Sequence, residues 1–319
     1  MGSPSHRPNR AYALVSISTF LHIGLHKTGT TYLQRTVFPA MDLVVSTHEA
    51  TSPRISAAIS ELRGRPLLIS DEGLSGDLFG GHWLEDFERT IDTLAALYQE
   101  PRIIVGFREH GSFLLSAYKQ YLQEGGTGPF ETVFDPARGA GLILAHEMWY
   151  QSRIEYLDAR FEHVLVYTNE QMRDNLGGLL GRLADFMGVP APLESDVQAK
   201  HNVSLSGERQ ARLLRHLNRA SDRLARAGLS RGLYSRWFRR FGLDPRSICQ
   251  YRLAFLSGNP LRLPPAVSTI VNETYGEDWR WTRTRAEGTH TNATAETAAC
   301  DIPWARRAGD LALTCSEGV

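Results

Sequence analysis

The segment Phe20–Leu33 reads FLHIGLHKTGTTYL and carries most of the information about the fold. Its first residues are mostly apolar and predict a strand over Phe20–Gly24. A helix is predicted to begin almost at once, over Thr30–Val37, so Gly24–Thr31 forms a tight loop between a strand and a helix. Free backbone N–H groups and the positive end of the helix dipole converge in such a loop. The segment therefore predicts an anion-binding site.

The residue types in this loop suit that chemistry. Gly24 and Gly29 let the backbone approach a ligand closely, Lys27 adds a mobile positive charge, and the threonine hydroxyls add donors. The alternative is a plain strand-to-helix turn capped by threonine. The loop is not a Walker A motif, which places lysine directly after the second glycine, whereas Lys27 precedes Gly29.

Three further apolar runs predict strands over Pro66–Ser70, Arg102–Phe107 and His163–Tyr167. Helical patterns follow these runs or lie nearer the C-terminus: Leu84–Tyr98, Gly111–Gln123, Leu176–Met187, Leu205–Leu229 and Ala266–Tyr275. Strands that alternate with helices indicate an α/β fold with a mainly parallel sheet flanked by helices.

The sequence HIGLHKTGTTYLQ resembles the 5′-phosphosulfate loop of sulfotransferases that use 3′-phosphoadenosine-5′-phosphosulfate (PAPS). It is particularly similar to the loop of the bacterial members of that superfamily. The resemblance covers roughly Phe20–Ser204. It implies a P-loop-type parallel sheet with a helical C-terminal part, PAPS as co-substrate and no required metal. It also implies that the donor contacts the loop residues His26, Lys27, Thr28, Gly29, Thr30 and Thr31.

The same resemblance implies a second donor contact, for the 3′-phosphate that ATP lacks. The family uses an arginine at a strand end and a serine eight residues later, and Arg108 and Ser116 stand at those places. A guanidinium can grip a phosphate bidentately, and a hydroxyl adds a donor. Glu109-His110 departs from the family pattern, and Lys119 is interpreted as a solvated helix residue. Asn202 and Ser204 match an Asn-x-Ser segment that bacterial members often carry, which is a less specific signal. The alternative is that Ser204 caps a helix.

Sulfuryl transfer to an alcohol requires a general base. Asp71 and Glu72 follow the second strand run, at the sheet edge where ligands of open α/β sheets bind, and we predict Glu72 as the base. The alternative is that both carboxylates cap the next turn. Relatives that act on phenols use a histidine instead, so His48 and His82 are rival candidates.

Composition limits the other classes of function. The chain has 319 residues with 35 basic and 35 acidic side chains, so a polycation for nucleic acid or membrane surfaces is disfavoured. No apolar run approaches the roughly 18 residues of a transmembrane helix. The three cysteines lack metal-ligand spacing, and we expect a cytoplasmic protein without a metal site.

The predicted organisation is a tail over 1–13, one domain over 14–285 that is mainly helical from 205, and a flexible tail over 286–319. We expect the acceptor to be a carbohydrate or a small hydroxylated natural product; the oligomeric state is not predicted. Two other functions stay open. One is a kinase-like phosphotransferase. The other is a binding module that uses the arginines of the helical segment: Arg209, Arg212, Arg215, Arg219, Arg223 and Arg226.

Overall fold

The computed structural model describes residues 18–47, 64–197, 207–226 and 259–288. These residues form an α/β fold around a five-stranded sheet in which every pairing is parallel, in the order β2-β3-β1-β4-β5. The strands are β1 (Thr19–Gly24), β2 (Val44–Ser46), β3 (Leu67–Asp71), β4 (Arg102–Phe107) and β5 (Val164–Thr168). The predicted class is confirmed, and the four predicted strands are present within one residue of their predicted bounds.

Helices flank the sheet, and their bounds are as follows. The helical residues 30–40 form α1, followed by α2 (Trp83–Leu97), α3 (His110–Gln123), α4 (Tyr150–Asp158), α5 (Asn169–Asp174), α6 (Leu176–Met187), α7 (Glu208–Arg226) and α8 (Pro265–Glu287). Short 3-10 turns span Glu72–Ser75, Phe130–Thr132, Ala145–Met148 and Glu194–Val197. Helix α1 is irregular: it is α-helical over Thr30–Tyr32, π-helical over Leu33–Val37 and 3-10 over Phe38–Ala40.

The strands are buried on both faces, which explains their nearly continuous apolar sequences. Leu21 and Ile23 of β1 belong to one core cluster, which includes the buried side of α2. Phe20 points to the opposite face and joins a second cluster with residues of α1 and α6. The sheet therefore lies between two helical layers, each with its own core.

The C-terminal helix α8 is longer than the predicted helix Ala266–Tyr275, and it continues past the predicted domain end at 285. Its periodicity is hard to read because several of its buried residues are polar: Asp278, Thr282 and Arg285. Asp278 accepts hydrogen bonds from the backbone N–H groups of Tyr150 (3.0 Å) and Gln151 (2.9 Å), so it caps α4.

The strand order places a ligand-binding edge at β1. The chain leaves β1 towards β2 and β3 on one side, and then crosses to β4 and β5 on the other side. Ligands of open α/β sheets bind beyond the carboxyl ends of the strands at such a switch point. Of the helices described, none is both long and apolar enough to cross a lipid bilayer.

Candidate active site

The loop after β1 has the backbone geometry of an anion site. Lys27 and Gly29 adopt positive φ angles of 66° and 90°, and the helical residues start directly afterwards at Thr30. Among the described residues, the backbone N–H groups of Gly29, Thr30 and Thr31 donate to no backbone carbonyl. Three donors at the positive end of a helix are therefore available to an anion.

Glycine is required at positions 24 and 29 because other atoms of the protein lie too close to leave room for a side chain. A Cβ on Gly24 would lie 1.9 Å from the Thr30 Oγ1 atom, and a Cβ on Gly29 would lie 2.9 Å from the Met172 Sδ atom. Thr28 and Thr30 are buried, and the Thr28 hydroxyl donates to the Leu25 carbonyl at 2.6 Å. The loop is thus packed against the core through Thr28 and Thr30, while Thr31 is exposed.

Arg108 meets this loop from the neighbouring strand. Strand β4 pairs with β1 through Gly106 and Gly24, and Arg108 follows β4 directly. Its Nη1 atom donates to the Lys27 carbonyl at 3.2 Å. Its Nε atom is buried and has no hydrogen-bond partner among the described residues. Burial lowers the pKa of Arg108, and the nearby Glu170 carboxylate opposes that effect, so the side chain stays a cation.

Helix α3 begins just after Arg108, and Glu109 has a structural role at its start. The Glu109 carboxylate accepts from the backbone N–H groups of Gly111 at 2.7 Å and Ser112 at 2.6 Å, so it caps the helix. Ser116 lies on this helix and is half-buried. Lys119 is half-buried as well, and burial, followed by the nearby charge of Arg108, lowers its pKa. The sequence interpretation of Lys119 as a solvated residue missed this proximity.

The two acidic residues after β3 have different environments. Asp71 pairs with Ile23 of β1, so Glu72 is level with Gly24 at the start of the loop. The Asp71 Oδ1 atom accepts from the Gly73 N–H at 2.8 Å and caps the turn Glu72–Ser75. The Glu72 carboxylate is half-buried and makes no hydrogen bond to another described residue. Of the two, Glu72 is the carboxylate available to a ligand.

An open pocket of about 460 Å³ adjoins this turn. Its lining residues come from the loop, the turn and helix α2: His26, Gly73, Gly76, Asp77, Asp86, Arg89 and Thr90. A hydrogen bond of 2.9 Å joins the His26 Nε2 atom to the Gly76 carbonyl and ties the loop to the turn. This bond uses Nε2, so the Nδ1 atom and the backbone of His26 remain for a donor contact.

Of the remaining candidates, the structure describes only His82, and it is a surface residue. His82 stands at the start of α2 with 70% of its side chain exposed, and it pairs with Glu85 at 3.6 Å. His48, Asn202, Ser204 and the two predicted tails, apart from 286–288, lie outside the described residues. Within the described part of the chain, no group of three histidine, cysteine or acidic residues is placed to hold a metal ion.

No family model and no curated protein matches this chain. Among solved structures, it is similar to a sulfotransferase from Alicyclobacillus acidocaldarius, with a TM-score of 0.45 and 15% identity over 59% of this chain and 87% of that one. It is also similar to the mouse sulfotransferase SULT7A1 complexed with PAP, with a TM-score of 0.36 and 14% identity over 57% of this chain. This match spans 62% of the mouse protein, less than two thirds of its length. The chain is thus similar in structure to two sulfotransferases, at low sequence identity.

Proposed function

We propose that this protein transfers the sulfuryl group of PAPS to a hydroxyl of a carbohydrate or small natural-product acceptor. The observation that supports this most is the hydrogen bond from Arg108 to the Lys27 carbonyl, because it joins two motifs that are 81 residues apart in sequence. An anion loop with an adjacent arginine suits a donor that carries a phosphosulfate and a separate phosphate.

In this proposal the loop and Arg108 bind opposite ends of the donor. The free N–H groups of Gly29, Thr30 and Thr31 hold the phosphosulfate oxygens. The Thr28 N–H contributes less, since it already donates to the Leu25 carbonyl at 3.3 Å. Arg108 binds the 3′-phosphate with its unpartnered Nε atom, and Ser116 adds a hydroxyl from helix α3.

The transfer itself is an in-line displacement. The acceptor oxygen forms a bond to sulfur as the bond between sulfur and the bridging oxygen of the 5′-phosphate breaks. Glu72 accepts the proton of the acceptor hydroxyl, and Lys27 stabilises the charge that develops on the bridging oxygen. The position of Glu72 level with Gly24 supports these roles, since base and loop then meet at one sheet edge.

Ligand-induced stabilisation tests the donor assignment. Adenosine 3′,5′-bisphosphate, the spent donor, should raise the melting temperature far more than AMP or ADP. A hundredfold excess over the dissociation constant adds about 2.7 kcal/mol. Arg108→Ala should abolish the preference, whereas Arg138→Ala, which removes an exposed arginine from another turn, should keep it. Equal stabilisation by ADP would contradict the assignment.

A transfer assay tests the reaction. Sulfur-labelled PAPS, incubated with a panel of glycans and hydroxylated metabolites, should label at least one acceptor, and Lys27→Ala should reduce both labelling and donor affinity. Transfer of phosphate from phosphorus-labelled ATP in the presence of Mg²⁺, with no transfer of the sulfur label, would instead establish a kinase-like phosphotransferase.

A further inference from the structure

Three polar side chains form a chain of hydrogen bonds inside the core beneath the loop. His22 of β1, Ser70 of β3 and Tyr167 of β5 are each fully buried. The Nδ1 atom of His22 lies 2.6 Å from the Ser70 Oγ atom, and its Nε2 atom lies 3.0 Å from the Tyr167 hydroxyl. Their surroundings are otherwise the apolar cluster of α1 and α6. A buried polar chain of this kind needs a reason, because apolar residues would fill the same space without the cost of desolvation.

The direction of these hydrogen bonds follows from Gln34. Its side-chain N–H donates to the Ser70 carbonyl at 2.8 Å, and this carbonyl fixes the orientation of the amide. The same Nε2 atom donates to Ser70 Oγ at 3.1 Å. Among the described residues, His22 Nδ1 is the one acceptor recorded for the Ser70 hydroxyl, which places the ring proton on Nε2 and directs it to the oxygen of Tyr167. His22 is thus assigned as the neutral Nε2–H tautomer.

The two ends of the chain lie near the loop and near the strand beside it. At one end is Gln34 of α1, the helix that starts at Thr30 directly after the loop. At the other end is Tyr167 of β5, whose ring occupies the space beside Gly106, because a Cβ there would lie 2.2 Å from the Tyr167 Cζ atom. Gly106 pairs with Gly24, where the loop begins.

We propose that His22 and Tyr167 are positioning residues, which lock the loop at a fixed distance from the end of β3 that carries Glu72. The chain contains Ser70, two residues before Glu72, and Gln34 of the helix that follows the loop, so it spans the two halves of the site. Burial lowers the pKa of His22 to about 3, which keeps the ring neutral and the directions of the bonds unchanged at ordinary pH. The role of His22 and Tyr167 in transfer rests on the proposed function, whereas the hydrogen-bonded chain that locks the loop does not depend on it.

Nuclear magnetic resonance of the ligand-free protein, with ¹⁵N-labelled histidine, tests the lock. The resonances of His22 should show the Nε2–H tautomer and should not titrate between pH 5 and 8. An Nδ1–H tautomer, or protonation of His22 above pH 5, would overturn the assignment.

Kinetics test the positioning role. Tyr167→Phe removes one hydroxyl and should lower turnover about 10- to 100-fold, since small displacements of reacting groups have effects of that size. Tyr275→Phe is the matched control: it removes a buried hydroxyl that bonds to the Ala145 carbonyl at 2.7 Å in another part of the core. It should lower the melting temperature similarly and leave turnover unchanged.

A conservative variant separates positioning from simple packing. His22→Gln keeps one acceptor and one donor and should retain more turnover than His22→Leu. Equal turnover in these two variants, or equal effects of Tyr167→Phe and Tyr275→Phe, would refute the positioning role. Failure of the wild-type protein to bind adenosine 3′,5′-bisphosphate would instead refute the proposed function, and the tautomer measurement would still decide whether the lock exists.

Discussion

Substitution of Gly24 by alanine tests whether the shape of the loop is set by close packing. The added Cβ would lie 1.9 Å from Oγ1, 2.6 Å from Cγ2 and 2.8 Å from Cβ of Thr30, so Thr30 and the start of α1 must shift. Overpacking of this kind costs about 1–3 kcal/mol of folding free energy. That corresponds to roughly 2–4 °C in melting temperature for each kcal/mol in a domain of this size class.

The same shift should weaken donor binding. A displaced loop loses at least one hydrogen bond to a charged group, worth about 1.5–3 kcal/mol, and tenfold in affinity corresponds to about 1.4 kcal/mol. Gly24→Ala should therefore bind adenosine 3′,5′-bisphosphate about 10- to 100-fold more weakly in titration calorimetry.

Two further variants complete this experiment. Gly181→Ala is the control, because a Cβ there meets no atom within 4 Å inside helix α6, and alanine should stabilise the helix by about 0.5–1 kcal/mol. Adding Thr30→Ala to Gly24→Ala removes the two closest contacts and should restore part of the lost stability. Wild-type stability and affinity in Gly24→Ala would refute the reasoning, and so would a double variant no better than the single one.

Three other predictions concern the base, a buried cation and a buried histidine. Glu72→Gln should lower turnover about 100- to 10,000-fold in the labelled-PAPS assay, with little change in donor affinity. His82→Ala should change turnover only modestly. The reverse result would make His82 the base. Glu147→Gln should reduce the free energy of unfolding by about 3–5 kcal/mol in urea, because Glu147 is the foremost opposing charge for the fully buried Arg153. Adding Arg153→Met to this variant should recover most of the lost free energy of unfolding. A Glu147→Gln variant as stable as the wild type would contradict the pairing of Glu147 with Arg153. For His22, the folded pKa of about 3 lies below the unfolded value of about 6.5, so its contribution is fully present above pH 6.5 and is lost as the pH falls towards 3. The loss should be roughly 2 kcal/mol between pH 7 and 5, and His22→Gln should show a flatter curve in denaturation experiments across that range.

The sequence predicts the central strands well because strands buried on both faces need continuous apolar runs, as in RIIVGF at Arg102–Phe107. It does not predict β2, since Val44–Ser46 is only three residues long and carries no periodic signal. Helix α8 was predicted too short because Asp278 and Arg285 are buried through contacts with distant residues. A local pattern contains no information about such partners.

For the candidate site, the sequence predicts the loop and Arg108 because residue order alone carries those signals. The roles of His22 and Tyr167 depend on which strands become neighbours and on the missing side chain of Gly106. One signal was available: His22 and Ser70 are polar residues inside apolar strand runs, FLHIG and PLLIS. Lys119 gave no comparable signal, because its proximity to Arg108 arises only when α3 packs on the sheet.

The capping of α4 by Asp278 has a consequence for synthesis of the chain. Trp149, which precedes α4, supplies no side-chain acceptor, and the acceptor used, Asp278, is 128 residues after Tyr150. Asp278 also pairs at 3.2 Å with buried His110, two residues after Arg108. A ribosome therefore releases all five strands before it makes the residue that completes α4 and fixes the segment after Arg108. This cap is therefore completed late in synthesis, once the last described helix has been made.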